Sequence, residues 1–381
     1  MWSWSSLCFY IILGLFSVEL MKKQSENKHR LFYFFSFIVI LLFFAVFRYV
    51  GYHRGVLVGG SDAITYISYF DECLWNSTHI YSNHVEIGFQ IFTKCIRSIT
   101  DNYHLYFCII YIIILSSLWL FVKEFSRHKI SYIPMLMIML IYVKSFTVIR
   151  TALSISLILL GIIALRRNKA IPCIVLMLLS VLFQRASVVY ACFPLFYLVY
   201  QKRKLTKGHA ICFVIISAII GILLQKFLSS GVFFMFSGGA YDKYVVSSLS
   251  TGYWMDYLKI IFDQIIVLCL IIFYDKLLTK NLNPENRESY TLLTSMCYYD
   301  LLMIPVCGIL GIWRANEYFF IARLLMLGMF IYQVKKYKIN DSSKRLFCLI
   351  MMLIIILWFS FRMLTIYDKS SVMPYILEFF I

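Results

Sequence analysis

RYVGYHRGVLVGGSDAITYISYFDECLWNSTHIYSNHVEIGFQ, residues 48–90, is the long stretch of this chain that apolar helix does not explain. A Gly-Gly-Ser-Asp turn at Gly59–Asp62 is followed by Tyr66 and Phe70 at helical spacing from Asp62. His53, His79 and His84 fall in the same stretch, and Glu86 opens Glu86-Ile87-Gly88-Phe89. Polar, ionisable and flexible residues gathered between apolar spans are where a membrane protein keeps its chemistry. The competing reading is a solvated loop with amphipathic helices lying on the membrane.

Around this stretch the composition is that of a membrane protein. The chain has 381 residues, 61% of them hydrophobic and 14% charged, a balance no soluble globular domain shows. Apolar runs of about 20 residues recur from end to end, which predicts a single all-α polytopic domain over residues 1–381. The opening MWSWSS carries no positive n-region, so the first run is expected to be a retained helix. A net charge of +17 could point to nucleic acid, but the basic residues sit in short clusters between spans, the positive-inside pattern, and no nucleic-acid partner is expected. Most of the 11 cysteines lie inside apolar runs and read as small core residues. Cys73 and Cys95 flank the loop closely enough for pairing to be considered. No Cys/His spacing resembles a metal site.

Following the basic clusters gives a topology of about 12 spans with both termini external. Residues 51–102 form a large external loop with amphipathic helices, and 229–256 form a second. Within the first, Gly88, Ile91, Phe92, Cys95, Ile96 and Ile99 are expected on one face of an interfacial helix, with Lys94 and Arg97 off it. Residues 170–200 are apolar except for Gln184-Arg185, and basic clusters stand on both sides. One crossing would export one cluster; two crossings keep both inside. Each half, about 15 residues, spans about 22 Å, short of the hydrocarbon thickness of about 30 Å. The tip of this short hairpin is therefore expected below the outer surface, with Arg185 at the floor of a wet cavity.

Of the 36 basic residues, 22 fall in cytoplasmic segments, 15 of them lysine, and 14 at or near the outer face, 8 of them arginine. The eight are Arg48, Arg54, Arg97, Arg150, Arg185, Arg314, Arg323 and Arg362. Positive-inside bias needs only charge; arginine adds a planar fork that binds phosphate in bidentate fashion. A phosphate-binding cavity is the reading preferred for the set. Lipid head groups, or pairing with Asp256, Asp263, Asp300 or Glu317, are the alternative for any single one.

The order of these features resembles a family. It runs from the GSD turn with Tyr66 and Phe70, through Glu-x-Gly-Phe at Glu86–Phe89, to Arg150 with Ala152 opening a span. The break at Gln184–Ser187, Arg-x-x-x-Tyr-Phe at Arg314–Phe319, and Met373-Pro374-Tyr375 follow. The chain looks like the EpsG-like branch of the Wzy-type bacterial polysaccharide and O-antigen polymerases, over about Arg48 to Tyr375. It departs from the family pattern at Thr151, where glutamine is common, and at Gln184, where histidine is common. The resemblance implies a glycosyltransferase of the bacterial cytoplasmic membrane serving lipopolysaccharide, capsule or exopolysaccharide synthesis. It would transfer a glycan from an undecaprenyl-pyrophosphate-linked donor to a lipid-linked acceptor, among membrane lipids and beside a flippase and a chain-length regulator. No cofactor and no metal is implied. Pyrophosphate departure would be stabilised by Arg150, Arg185 and Arg314, with Arg54 or Arg48 as helpers. Asp62 or Glu86 would serve the acceptor hydroxyl, with His84 as a further candidate base. For Asp62 a helix cap, and for Glu86 a salt bridge to Arg97 or Lys94, are the structural alternatives. Tyr66, Tyr241 and Trp254 are candidates for stacking on sugars. A flippase of the lipid-linked oligosaccharide is the rival function.

The topology is open to direct measurement. A membrane-impermeant thiol reagent should label a cysteine placed at Ser82 in intact cells and leave one at Thr206 unlabelled; labelling at Thr206 would sink the hairpin reading.

Overall fold

The computed structural model describes residues 4–26, 30–73, 85–126, 141–202, 207–229, 254–273, 284–309, 317–327, 353, 357 and 375–380. The fold is mostly helical, with few strands. It forms two compact units: Met1–Arg185 with Ile356–Ile381, and Ala186–Ile355. Among the described residues two helices are long and apolar enough to cross a membrane, Tyr103–Phe125 and Ile149–Arg166. Shorter apolar helices at Ser5–Met21, Leu31–Val46, Ala170–Phe183, Gly208–Leu224 and Ile261–Ile272 fall within runs read as spans.

The first unit is a row of packed helices. Helix α1 (Trp4–Glu26) packs on α2 (Arg30–Val46), and the row continues through α5 (Tyr103–Ser126), α6 (Ile149–Arg166) and α7 (Ala170–Phe183). Two short helices, α3 (Ala63–Glu72) and α4 (Ile87–Arg97), contact this row, α3 on α5 and α4 on α5 and α7. Helix α6 is the most enclosed: Ile149, Leu153, Ile158, Leu159 and Ile162 are each at most 2% exposed. It turns into α7 through Asn168, which takes the left-handed conformation (φ 56°) that asparagine tolerates. Gly161 lets the pair close up: a Cβ there would stand 3.0 Å from the Met177 methyl. At the opposite end of the α5–α6 contact, Glu124 meets Arg166 at 3.0 Å and Arg167 at 2.7 Å.

The loop of residues 48–73 is built on a buried arginine. Arg48 is 1% exposed, donates from Nε to the Gly59 carbonyl at 2.9 Å and also bonds the Ala45 carbonyl. Its guanidinium carbon lies 4.5 Å from the Phe146 ring centroid, 5.0 Å from Phe107 and 5.3 Å from Tyr111. Carbonyls and aromatic faces thus take up a charge that would be costly alone. Beyond it, β1 (Gly51–His53) pairs antiparallel with β2 (Val56–Val58) across Arg54-Gly55. Both turn residues have positive φ (49° and 78°), as a two-residue type I′ hairpin requires. The Gly-Gly turn then folds onto the corner before α6. Gly60 has φ 111°, and a Cβ there would stand 2.4 Å from the Phe146 carbonyl oxygen.

The C-terminal residues close the same unit. The amide of Tyr49 donates to the Ile376 carbonyl at 2.8 Å, and the amide of Glu378 to the Phe47 carbonyl at 3.1 Å. Tyr375 donates its hydroxyl to the Phe44 carbonyl at 2.7 Å, and Glu378 accepts from Tyr103 at 2.8 Å and meets His104 at 3.2 Å. Burial pushes the Tyr375 phenol well above its ordinary range. Residues 375–380 thus form a strap along the end of α2.

In the second unit, α8 (Val188–Ala191), α9 (Phe193–Lys202), α10 (Lys207–Ser229) and α11 (Trp254–Phe273) accompany α12 (Pro284–Ile309); α9, α10 and α11 pack on α12. Tyr190 stacks on Tyr318 with ring centroids 5.2 Å apart, and Phe193 meets Phe319 at 4.9 Å. Arg323, 1% exposed, sits between Asp300 at 2.8 Å and Asp263 at 3.7 Å, and Tyr190 donates to Asp300 at 3.1 Å.

Two glycines of the loop should answer differently to substitution. Gly60→Ala forces both a left-handed alanine and a carbonyl clash, so a loss of about 2 kcal/mol is expected, read as a lower unfolding midpoint in detergent. Gly55→Asn, at a left-handed site with nothing within 4 Å, should leave the midpoint close to wild type.

Candidate active site

The Glu-x-Gly-Phe motif finds its purpose where α4 meets the end of α7. Gly88 is the close-approach residue: a Cβ on it would lie 2.7 Å from both the Cβ and the carbonyl oxygen of Leu182. Phe92 meets Phe183 edge-on at 5.5 Å, and Phe89, fully buried, meets Tyr66 at 5.6 Å. These contacts hold Glu86, at the N-cap position of α4, against the two helix ends that come after it in sequence.

There Glu86 is 8% exposed and receives two donors. One carboxylate oxygen pairs with the Arg150 guanidinium, whose side chain is 16% exposed. The other accepts from the backbone N–H of Arg185 at 3.2 Å. Arg150 also hydrogen-bonds Tyr66, itself 2% exposed. Helix α7 ends at Gln184, whose extended backbone (φ −154°) breaks the helix before a 3-10 turn at Arg185–Ser187. The polar break read in the sequence is therefore a real interruption, and its first free N–H is spent on Glu86. Loop motif, arginine-opened helix and hairpin break, spread over 99 residues of sequence, converge on one carboxylate.

The remaining residues singled out in the sequence are placed as follows. Asp62 is half-buried at the N-cap position of α3 without a side-chain cap bond, and it accepts from the Ser61 hydroxyl at 3.3 Å. It stands one turn before Tyr66. The anticipated partners of Glu86, Lys94 and Arg97, are not those it takes: Arg97 pairs with Asp101 at 2.7 Å and lies over the Phe70 ring. Arg48 is enclosed in the loop base, and Arg54 is exposed at the hairpin turn. Arg185 departs from expectation, because its side chain is exposed and its backbone makes the polar contact. The 3-10 turn directs the N–H inward and leaves the guanidinium on the open side. Arg314, His79, His84 and Tyr241 lie outside the described residues, as does the side chain of Trp254. Cys73 and Cys95 are both free thiols.

The expected face of α4 is divided. Phe89, Thr93 and Ile96 are buried, Gly88 and Phe92 meet α7, and Ile91, Cys95 and Ile99 point outward. Periodicity found an apolar stripe; it had no means of dividing that stripe between protein and surroundings. Thr151 and Gln184 are both buried next to the site, Thr151 beside Arg150 and Gln184 beside Arg185. Among the described residues no group of three or more His, Cys, Asp or Glu side chains gathers as a metal site would need.

The arrangement is a largely buried guanidinium fork held in place by a carboxylate. Arg150 is oriented and partly open, and the charge that neutralises it is carried by a side chain. A negative oxygen arriving beside it would meet a guanidinium already desolvated on its other faces. In comparison with known proteins, a family model described as EpsG family matches residues 51–377. No curated protein and no solved structure matches.

The Glu86–Arg150 pair should behave as a coupled unit. Glu86→Met or Arg150→Met each leaves a buried charge and should cost about 3 kcal/mol, whereas the double variant should cost clearly less than the sum. Unfolding midpoints of the four proteins check this, and strict additivity would show that the pair contributes nothing.

Proposed function

The chain belongs to the EpsG family, the family of Wzy-like polysaccharide polymerases and EpsG-type glycosyltransferases, and from that premise we propose that it polymerises a lipid-pyrophosphate-linked glycan at the outer face of the cytoplasmic membrane. The donor would be an undecaprenyl-pyrophosphate-linked oligosaccharide and the acceptor another lipid-linked repeat unit. The observation that carries this reading is the meeting of Arg150, Glu86 and the Arg185 backbone at one point. It draws also on the expected topology of about 12 spans, which would put that point near the external end of the helices.

In the proposed reaction an acceptor hydroxyl oxygen attacks C1 of the donor sugar, the C1–O bond to the pyrophosphate breaks, and the hydroxyl proton is lost. Charge grows on the departing pyrophosphate. Arg150 faces it as an oriented fork, and the exposed Arg185 side chain reaches the same charge from the open side. Arg314 and Arg54 are further candidates for the lipid-pyrophosphate, whereas Arg48, clasped by carbonyls and rings, serves by holding the loop. Asp62 and Glu86 are the acids that would orient or accept from the hydroxyl. Glu86 already holds one donor on each oxygen, so its part would be to set Arg150, and Asp62 would be the one to take the proton. The family match favours polymerisation over a flippase.

Polymer length in cells, read beside protein abundance, tests the reading. Arg150→Lys keeps the charge but loses the fork, and should cut polymer at least about tenfold at normal abundance. Arg185→Ala should do the same, since its backbone contact to Glu86 survives the change. Full-length polymer from both would place the pyrophosphate elsewhere.

A further inference from the structure

Two buried oxygen atoms on the residues that adjoin Arg150 and Arg185 in sequence have no hydrogen-bond partner among the described residues: Oγ1 of Thr151 and Oε1 of Gln184. Thr151 is 1% exposed and Gln184 9%. They belong to one place. The Ser154 hydroxyl donates to the Ser180 carbonyl at 2.9 Å, and the Gln184 amide N–H donates to that same carbonyl at 3.0 Å. Thr151 is three residues before Ser154 on α6, hence on the same face, so the antiparallel register brings it level with Gln184. Each also adjoins a residue that holds Glu86: Thr151 follows Arg150, and Gln184 precedes Arg185.

A buried group without a partner is costly, and where one persists in a folded protein it needs a physical reason. The adjacent carboxylate supplies one. In the structure Glu86 has two donors, the Arg150 guanidinium and the Arg185 N–H, although a carboxylate accepts about four. If Arg150 turns to a phosphate oxygen, Glu86 keeps a single backbone donor in a site almost closed to water. Its charge would then oppose the move. The Thr151 hydroxyl can donate, and the Gln184 amide can offer N–H in place of its oxygen by turning end for end.

We propose that Thr151 and Gln184 are positioning residues that take over Glu86 when Arg150 engages the pyrophosphate of the substrate. They are under-satisfied in the resting state and satisfied in the engaged one, so their resting cost lowers the work of exchanging partners. The exchange moves no proton and breaks no covalent bond. This inference rests on the proposed function, since it needs an anionic ligand for Arg150.

The experiment compares initial polymerisation rates in isolated membranes carrying the strain's own lipid-linked repeat units, together with unfolding midpoints of the purified proteins. Thr151→Val and Gln184→Leu keep the bulk and remove the reserve hydrogen bonds. Each should slow polymerisation roughly tenfold or more, while its midpoint stays the same or rises. Thr151→Ser should recover most of the rate lost in Thr151→Val. Inorganic pyrophosphate, used as probe, should raise the wild-type midpoint, and that rise should shrink in both apolar variants. Wild-type rates from Thr151→Val and Gln184→Leu would overturn the inference, as would slow variants whose midpoints have fallen, the mark of a merely structural role. Arg150→Lys separates the two levels: if it is inactive while both apolar variants are active, only the exchange fails. If it too is fully active, the pyrophosphate reading fails with it.

Discussion

A carboxylate enclosed by helix ends has to be met by donors, and the donors must come from elements that would not otherwise touch. Glu86 imposes that requirement on the first unit. Arg150 comes from the start of α6 and the Arg185 N–H from the break after α7. Tyr66 on α3 braces Arg150 in turn. Gly88 permits the approach, because only a residue without a Cβ lets α4 come this close to Leu182. Even the break in α7 gains a reason. A helix cut at Gln184 exposes a backbone N–H that a continuous helix would have consumed, and the carboxylate takes it. Left unpaired, the charge would be expensive enough to shift every one of these elements.

Much of this was legible in the sequence as separate signals. The Gly-Gly-Ser-Asp turn, the helix after it, the short amphipathic helix and the polar break at Gln184 all lie where composition and spacing put them. The partner of Glu86 was not legible. Local spacing pointed to Lys94 and Arg97, eight and eleven residues on, whereas the real partner is 64 residues away. Charge patterning along one helix sees only neighbours on that helix. Arg185 shows the same limit at finer scale. The sequence marks a polar tip, but whether its backbone or its guanidinium turns inward depends on the 3-10 turn that follows.

The surplus of outer arginines resolves into different uses. Arg323 takes the alternative partners named for it, lying between Asp263 and Asp300. Arg97 pairs with Asp101, four residues on and just past the end of its helix, and rests on Phe70. Arg48 is spent on carbonyls and three aromatic faces. Arginine suits all of these positions for one reason: its charge is spread over a flat group that stacks and forks, so it can be buried where lysine could not. Enrichment in arginine therefore reports burial as well as phosphate binding, and counting alone does not separate them. Geometry does, by asking what each guanidinium would have to give up to meet a ligand.

By that criterion Arg150 and Arg48 are opposites. Arg48 is held by backbone carbonyls and by rings that shape the loop base, so releasing it would unmake the Gly59–Gly60 turn and the corner at Phe146. Arg150 is held by side chains, a carboxylate and a phenol, which can rotate without any change of backbone. Partner exchange at Arg150 costs the difference between two ion pairs; at Arg48 it would cost a piece of the fold. On the function proposed above, a site that accepts and releases a pyrophosphate on every cycle would need the first kind of arginine, built on a frame secured by the second. The loop and the strap at residues 375–380 secure that frame, with Arg48 bridged to Leu377 at the junction, and leave Arg150 the freedom to change hands.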